Sequence, residues 1–210
     1  MITHLDPHPS ATEPPEFAGE DHPMRVITRS AAAGEWTEKS ISDVGALFDA
    51  MAPEWSAGRS ADRYEPLADA FARGEVGGDP RVVELGSGTG LGTRVIRRFF
   101  DDVVVMDLSL EMLRHAPGDL APQVNTDASM LPLPDRSVDL LVLVNMILFP
   151  EEVDRVLAPD GTLTWVNTVA EQTPIHLSAD DVDQALPGEW TGVASRYGIG
   201  TWSVHRRAIG

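Results

Sequence analysis

Residues 82–90, Val-Val-Glu-Leu-Gly-Ser-Gly-Thr-Gly, join an apolar run to a carboxylate and then to three glycines at alternate positions. Glycines so spaced let a backbone turn sharply at a strand's carboxyl end and approach a ligand, because any Cβ there would fill the space the ligand needs. The dinucleotide fingerprint requires a further glycine or alanine three places after the second, and the two registers of this run put Leu91 or Thr93 there. A phosphate-cradling loop requires Gly-Lys-Ser/Thr, and the only lysine in the chain is Lys39, far upstream. Glu84 would repel a pyrophosphate and would pair with an ammonium group. The run therefore predicts a nucleotide-type ligand that carries a cation.

Three further stretches follow in order: Val103-Val104-Val105-Met106-Asp107 leading into Leu108-Ser109-Leu110-Glu111-Met112-Leu113, then Thr126-Asp127-Ala128-Ser129-Met130-Leu131-Pro132, then Arg155-Val156-Leu157-Ala158-Pro159-Asp160-Gly161-Thr162-Leu163. With Glu84-Leu85-Gly86-Ser87-Gly88-Thr89-Gly90 as the first motif, these four landmarks resemble the class I S-adenosylmethionine-dependent methyltransferases over roughly residues 41–209. The small-molecule branch related to the quinone methyltransferases is the most similar. The resemblance implies a Rossmann-like three-layer α/β sandwich. Its sheet would have seven mostly parallel strands, with the last strand antiparallel between the fifth and sixth.

The pattern along the chain supplies such a sheet. Strands are predicted at 81–85, 103–107, 123–126, 138–145 and 162–168, alternating with helices at 91–100, 109–115 and 149–157, the order that builds a parallel sheet. Val138 to Asn145 is almost continuously apolar, as a strand covered on both faces must be. A helix at 177–186, opened by Ser178, and a hairpin at 190–195 and 201–207 close the chain. Upstream, helices at 41–51 and 61–73 form a cover over the core, so that 41–78 is the cover and 79–210 the core of one domain. Residues 1–40, rich in proline and acids, read as a flexible tail, and its histidines His4, His8 and His22 lack the spacing of metal ligands.

Composition narrows the partners. The chain has 33 acidic against 16 basic residues, a net charge of −17, and no cysteine. Such a charge disfavours nucleic acid and anionic membrane surfaces, and the lack of cysteine removes disulfides, thiolate metal sites and thiol nucleophiles. The sequence offers no apolar run of about 18 residues and no signal-peptide pattern at its start. The expectation is a cytoplasmic protein acting on a small molecule, with S-adenosylmethionine as cofactor.

The resemblance also implies roles for residues. Glu84 would accept from the methionine ammonium, the backbone amides around Ser87, Gly88 and Gly90 would bind the methionine carboxylate, and Leu85 and Gly86 would belong to the same cofactor-binding loop. Asp107 would take the ribose diol, and Asp127 with Ala128 the adenine amino group. Leu108, Met112 and Leu131 could sandwich the base or simply pack. Asn145 and Met146, after the fourth strand, would face the methyl being transferred. Trp55 and Tyr64 could stack in the cofactor or acceptor site, or pack within the cover. A general base is needed only for an acceptor that must lose a proton; His176 is the candidate, with Glu151 and Glu171 weaker. His115 at a helix end and His205 in the last strand read as structural.

Three other readings compete. A cofactor-binding regulatory or scaffold protein without transfer activity fits the short acceptor region. A nicotinamide-dependent reductase is opposed by Leu91. DNA methylation is opposed by Asn145-Met146-Ile147-Leu148, which stands where that class carries an Asn/Asp-Pro-Pro-aromatic run.

Overall fold

The computed structural model describes residues 1–13, 22–57 and 61–208. In chain order its elements are β1 (Ile2–His4), α1 (Pro23–Ala32), α2 (Glu38–Met51), α3 (Glu65–Arg73), β2 (Val82–Leu85), α4 (Leu91–Ile96), β3 (Val103–Asp107), α5 (Leu110–His115), β4 (Gln123–Asn125), β5 (Val138–Val144), α6 (Pro150–Val156), β6 (Leu157–Asn167), α7 (Ala179–Ala185), β7 (Trp190–Tyr197) and β8 (Gly200–Arg207). Short 3₁₀ turns stand at Ala52–Glu54, Ala61–Tyr64 and Ala170–Gln172.

The strands form one 8-stranded sheet in the order β1-β7-β8-β6-β5-β2-β3-β4. β8 runs antiparallel to both β6 and β7, and every other pairing is parallel. The last strand is thus inserted between the two that precede it, as the resemblance implies. β5 is buried at every residue but Asp139, and alternation sends Leu140 and Val142 into one core cluster and Leu141 and Leu143 into the other. Helices cover both faces, and the strand ends that carry β2, β3 and β5 into their loops converge on one edge of the sheet.

The N-terminal region departs from expectation. Residues 1–40 hold β1 and α1, so the stretch read as a flexible tail is built into the fold, except for 14–21, which lie outside the described residues. β1 extends the sheet to eight strands by pairing Ile2, Thr3 and His4 with Gly192, Val193 and Ala194. α1 starts with Pro23 at its first turn, with the ring of His22 accepting from the Met24 amide, and buries Met24, Thr28 and Ala31 against the core. His8 stacks on Tyr197 at 4.5 Å.

Candidate functional site

The loops after β2, β3, β4 and β5, together with the cover, line one cleft. Its floor is the glycine loop. Gly86, Gly88 and Gly90 all have positive φ (69°, 54° and 80°). A Cβ on Gly86 would lie 2.4 Å from Met146 Sδ and would be strained at that φ, so any other residue there must displace Met146. Gly86, Ser87 and Gly88 line the cleft, whereas Leu85 turns into the core and Gly90 faces Leu120 behind the loop.

The loop amides are largely spent inside the protein. Gly86 N and Ser87 N donate to Met106 O (2.8 and 3.2 Å), Gly90 N to Ser87 O (2.9 Å) and Gly88 N to Asp107 Oδ2 (2.7 Å). Those of Leu91, Gly92 and Thr93, at the start of α4, have no intrahelical acceptor, and the first to find one is Arg94 N, on Gly90 O at 3.2 Å. Leu91 and Gly92 line the cleft.

Three carboxylates stand along one wall. Glu84 is buried at 2% exposure, and Thr93 Oγ1 donates to its Oε2 at 2.5 Å. Burial pushes its carboxyl up to about 8, against the pull of the Thr93 bond and with a further push from Asp107. Its other oxygen, Oε1, lies 2.5 Å from where a Cβ on Gly92 would sit, so α4 packs tightly onto β2 there. This close helix-to-strand contact is made at Gly92, between the two positions, Leu91 and Thr93, that the fingerprint spacing tests.

Asp107, at the end of β3, accepts from Gly88 N at Oδ2 and from Ser109 N at Oδ1 (2.8 Å). Burial raises its carboxyl above the ordinary range, those two bonds lower it, and Asp49 raises it. Asp49, from α2, accepts from Ser109 Oγ at 2.5 Å and so ties the cover to the start of α5. Asp127, after β4, accepts from Ser129 N at Oδ1 (2.9 Å), and from Ser129 Oγ (2.6 Å) and Trp36 Nε1 (3.1 Å) at Oδ2.

The rest of the lining is largely apolar and aromatic. Phe48 meets Trp55 edge-on at 5.7 Å, and Trp36 meets Phe149 edge-on at 5.1 Å. Val44, Ile147 and Ile175 complete it, and Ser56 Oγ and Thr89 Oγ1, 2.8 Å apart, tie the cover to the glycine loop. Leu108, Met112, Ala128, Asn145, Met146, Trp55 and Tyr64 all line this cleft. Leu131 is buried in the core.

His176 is not in the cleft. It lines a second cavity with His4, Leu5, Pro7 and Glu171, while its neighbour Ile175 turns into the cleft. Burial lowers its pKa below the ordinary histidine value. Glu151 and Glu171 do not line the cleft either. His115 Nδ1 donates to Glu111 O at 2.8 Å, closing its helix. His205 is fully buried beside Ser203 Oγ (2.8 Å), and burial lowers it to about 4.

Trp36, Val44, Phe48, Gly92, Phe149 and Ile175 belong to the cleft and were not legible as site residues. Trp36 had a signal. It precedes Thr37, whose hydroxyl caps α2 by accepting from Ser40 N (3.2 Å), and an apolar residue just before such a cap is the first half of a hydrophobic staple.

Residues 83–165 match the methyltransferase domain family. The fold is that of a complex of DhpI with S-adenosylhomocysteine (TM-score 0.65, 22% identity, 81% of this chain and 98% of that one). It is also that of a methyltransferase from Thermotoga maritima (0.61, 18%, 78% and 99%). The matched segment and the fold are those of the class I S-adenosylmethionine-dependent methyltransferases. Demethylmenaquinone methyltransferases of Mycobacterium strains KMS and MCS are each 28% identical over 172 residues, 75% of this chain and 74% of theirs. Within the class, the chain is similar to these quinone methyltransferases over that stretch. Among the described residues no helix is long and apolar enough to cross a membrane.

Proposed function

We propose that this chain methylates a small, flat, largely apolar acceptor held between the glycine loop and the aromatic wall of the cleft. The observation that carries the reading is the lining of the cleft, which combines three carboxylates at or just after the ends of β2, β3 and β4, Glu84, Asp107 and Asp127, with the apolar side chains of Phe48, Phe149, Ile147 and Ile175.

The residues suit the cofactor. Asp107 offers two oxygens to a vicinal diol, each with acceptor capacity beyond its one backbone bond. Glu84 meets an ammonium group, and a cation beside it would draw off the proton that burial holds there. The methionine carboxylate falls to the free first-turn amides of Leu91 and Gly92, because those of Gly86, Ser87, Gly88 and Gly90 are engaged. Asp127 takes the adenine amino group. Asn145 contributes its main chain only, since both ends of its side chain are bonded to Thr168. S-adenosylmethionine supplies, when bound, an electrophilic methyl on a sulfonium sulfur.

The chain's own part is positioning. Met146 over Gly86 and the aromatic side chains exclude water and hold the acceptor ring in line. Among the described residues that line the cleft, the titratable side chains are Glu84, Asp107, Asp127 and Tyr64, with no histidine. The acceptor therefore brings a nucleophile that ionises readily or needs no deprotonation. A reduced quinone-type ring, of the kind for which the Mycobacterium relatives are named, is such a nucleophile: its hydroxyl groups make the ring electron-rich, its carbon takes the methyl, and the displaced proton leaves to solvent.

Calorimetry of the purified chain with S-adenosylhomocysteine tests the cofactor half. Absence of binding, or binding unchanged by Asp107→Ala, overturns it. Radiolabelled methyl transfer to reduced demethylated quinones tests the acceptor half. Tight cofactor binding without transfer to any flat aromatic acceptor overturns that half alone.

A further inference from the structure

The carboxylate of Asp127 is nearly saturated. A carboxylate has about four acceptor positions. Three are filled here, one at Oδ1 by Ser129 N and two at Oδ2 by Ser129 Oγ and Trp36 Nε1. Ser129 is two residues from Asp127 and could follow any swing of that side chain, whereas Trp36 arrives from a segment 91 residues away. Its ring is itself held, edge-on to Phe149 at 5.1 Å and just ahead of the cap of α2. Trp36 lines the same cleft as Asp127.

We propose that Trp36 is a positioning residue that sets nucleobase specificity: its indole N–H occupies Oδ2 of Asp127 and leaves one acceptor, on Oδ1, for an exocyclic amine. The inference rests on Asp127 reading the adenine. A base with a carbonyl in place of the amine would set oxygen against oxygen. Its neighbouring ring N–H could be accepted only if Oδ2 were free. Removing the indole N–H frees that position, so the effect falls on discrimination and not on affinity at large.

The test compares binding of S-adenosylhomocysteine and S-inosylhomocysteine, which carries the carbonyl, to the full chain by calorimetry. The wild-type chain should prefer the amine. Trp36→Phe keeps a ring in place and should leave adenosyl binding within about threefold while narrowing the preference about tenfold, the scale of one hydrogen bond to a charged group. Trp36→His, which restores a ring N–H, should recover part of the preference. Equal loss of affinity for both ligands, with their ratio unchanged in Trp36→Phe, means that Trp36 only packs and overturns the proposal. Asp127→Asn separates the two layers. If it leaves the wild-type preference intact, the reading of Asp127 fails and takes the proposal with it; if it abolishes the preference that Trp36→Phe retains, only the role of Trp36 falls.

Discussion

Asn145 and Thr168 exchange two hydrogen bonds across the ends of β5 and β6, Asn145 Nδ2 donating to Thr168 Oγ1 and Thr168 N to Asn145 Oδ1, each at 2.9 Å. Arg63 Nε adds a bond from the cover to the same hydroxyl at 3.0 Å. The exchange fixes the turn out of β5 with Asn145 in the left-handed region, at φ 50°, where a non-glycine residue other than Asn or Asp is costly. Met146, which follows, is thereby aimed over Gly86.

Asn145→Ala should destabilise the fold by about 2 kcal/mol or more, because it removes both bonds and leaves a Cβ with no compensation at positive φ. Asn145→Gly loses the same bonds without the strain and should cost about 1 kcal/mol less. Urea unfolding of the two variants checks the order. Equal losses would mean that the left-handed turn carries no strain.

Glu84 should make stability depend on pH in an uncommon direction. Its folded pKa is about 8 against an ordinary 4.5, so the folded state keeps a proton that the unfolded chain releases. The stabilisation is complete below about 4.5 and is lost as pH rises toward 8, at a limiting slope of ~1.4 kcal/mol per pH unit. Glu84→Gln keeps a neutral group of the same shape, so it should gain on the wild-type chain steadily from pH 5 to pH 8. A constant difference across that window would show Glu84 ionised in the folded state.

Gly92→Ala places a methyl 2.5 Å from Glu84 Oε1, so the buried carboxyl must turn away or α4 must shift, at a cost of about 1–3 kcal/mol and with weakened cofactor binding. Gly118→Ala meets nothing within 4 Å and should be silent. A tolerated Gly92→Ala would mean that the helix-to-strand contact is loose.

The sequence made legible what local pattern controls. β3 at 103–107 and the cap Ser109, which accepts from Met112 N, stand where their residues predict, because an apolar run ending in Asp107 and a serine before a helical pattern are both short-range signals. β1 escaped because an edge strand of 3 residues, two of them exposed, pairs through its backbone and needs no hydrophobic alternation. α1 escaped because prolines and acids around it outweighed the spacing of Met24, Thr28 and Ala31. With α1 went Trp36. The site's other unreadable feature was the facing of the loop after β6, which is set by long-range packing and not by residue type.

That loop supplies the sharpest contrast between two adjacent residues. Along 173–178 every second side chain is buried, Thr173, Ile175 and Leu177, with His176 between them only half-buried. Ile175 faces the cleft and His176 the second cavity. His176→Ala should therefore leave both turnover and its pH profile unchanged, since a proton on that ring cannot reach an acceptor in the cleft. Ile175→Ala should raise KM for the acceptor, through lost apolar contact, while the affinity for S-adenosylhomocysteine stays within about twofold. Steady-state kinetics of the two variants, with folding checked by thermal unfolding, decide the matter. A loss of turnover in folded His176→Ala, accompanied by loss of one limb of the pH profile, would place the histidine in the reaction and overturn the separation of the two cavities.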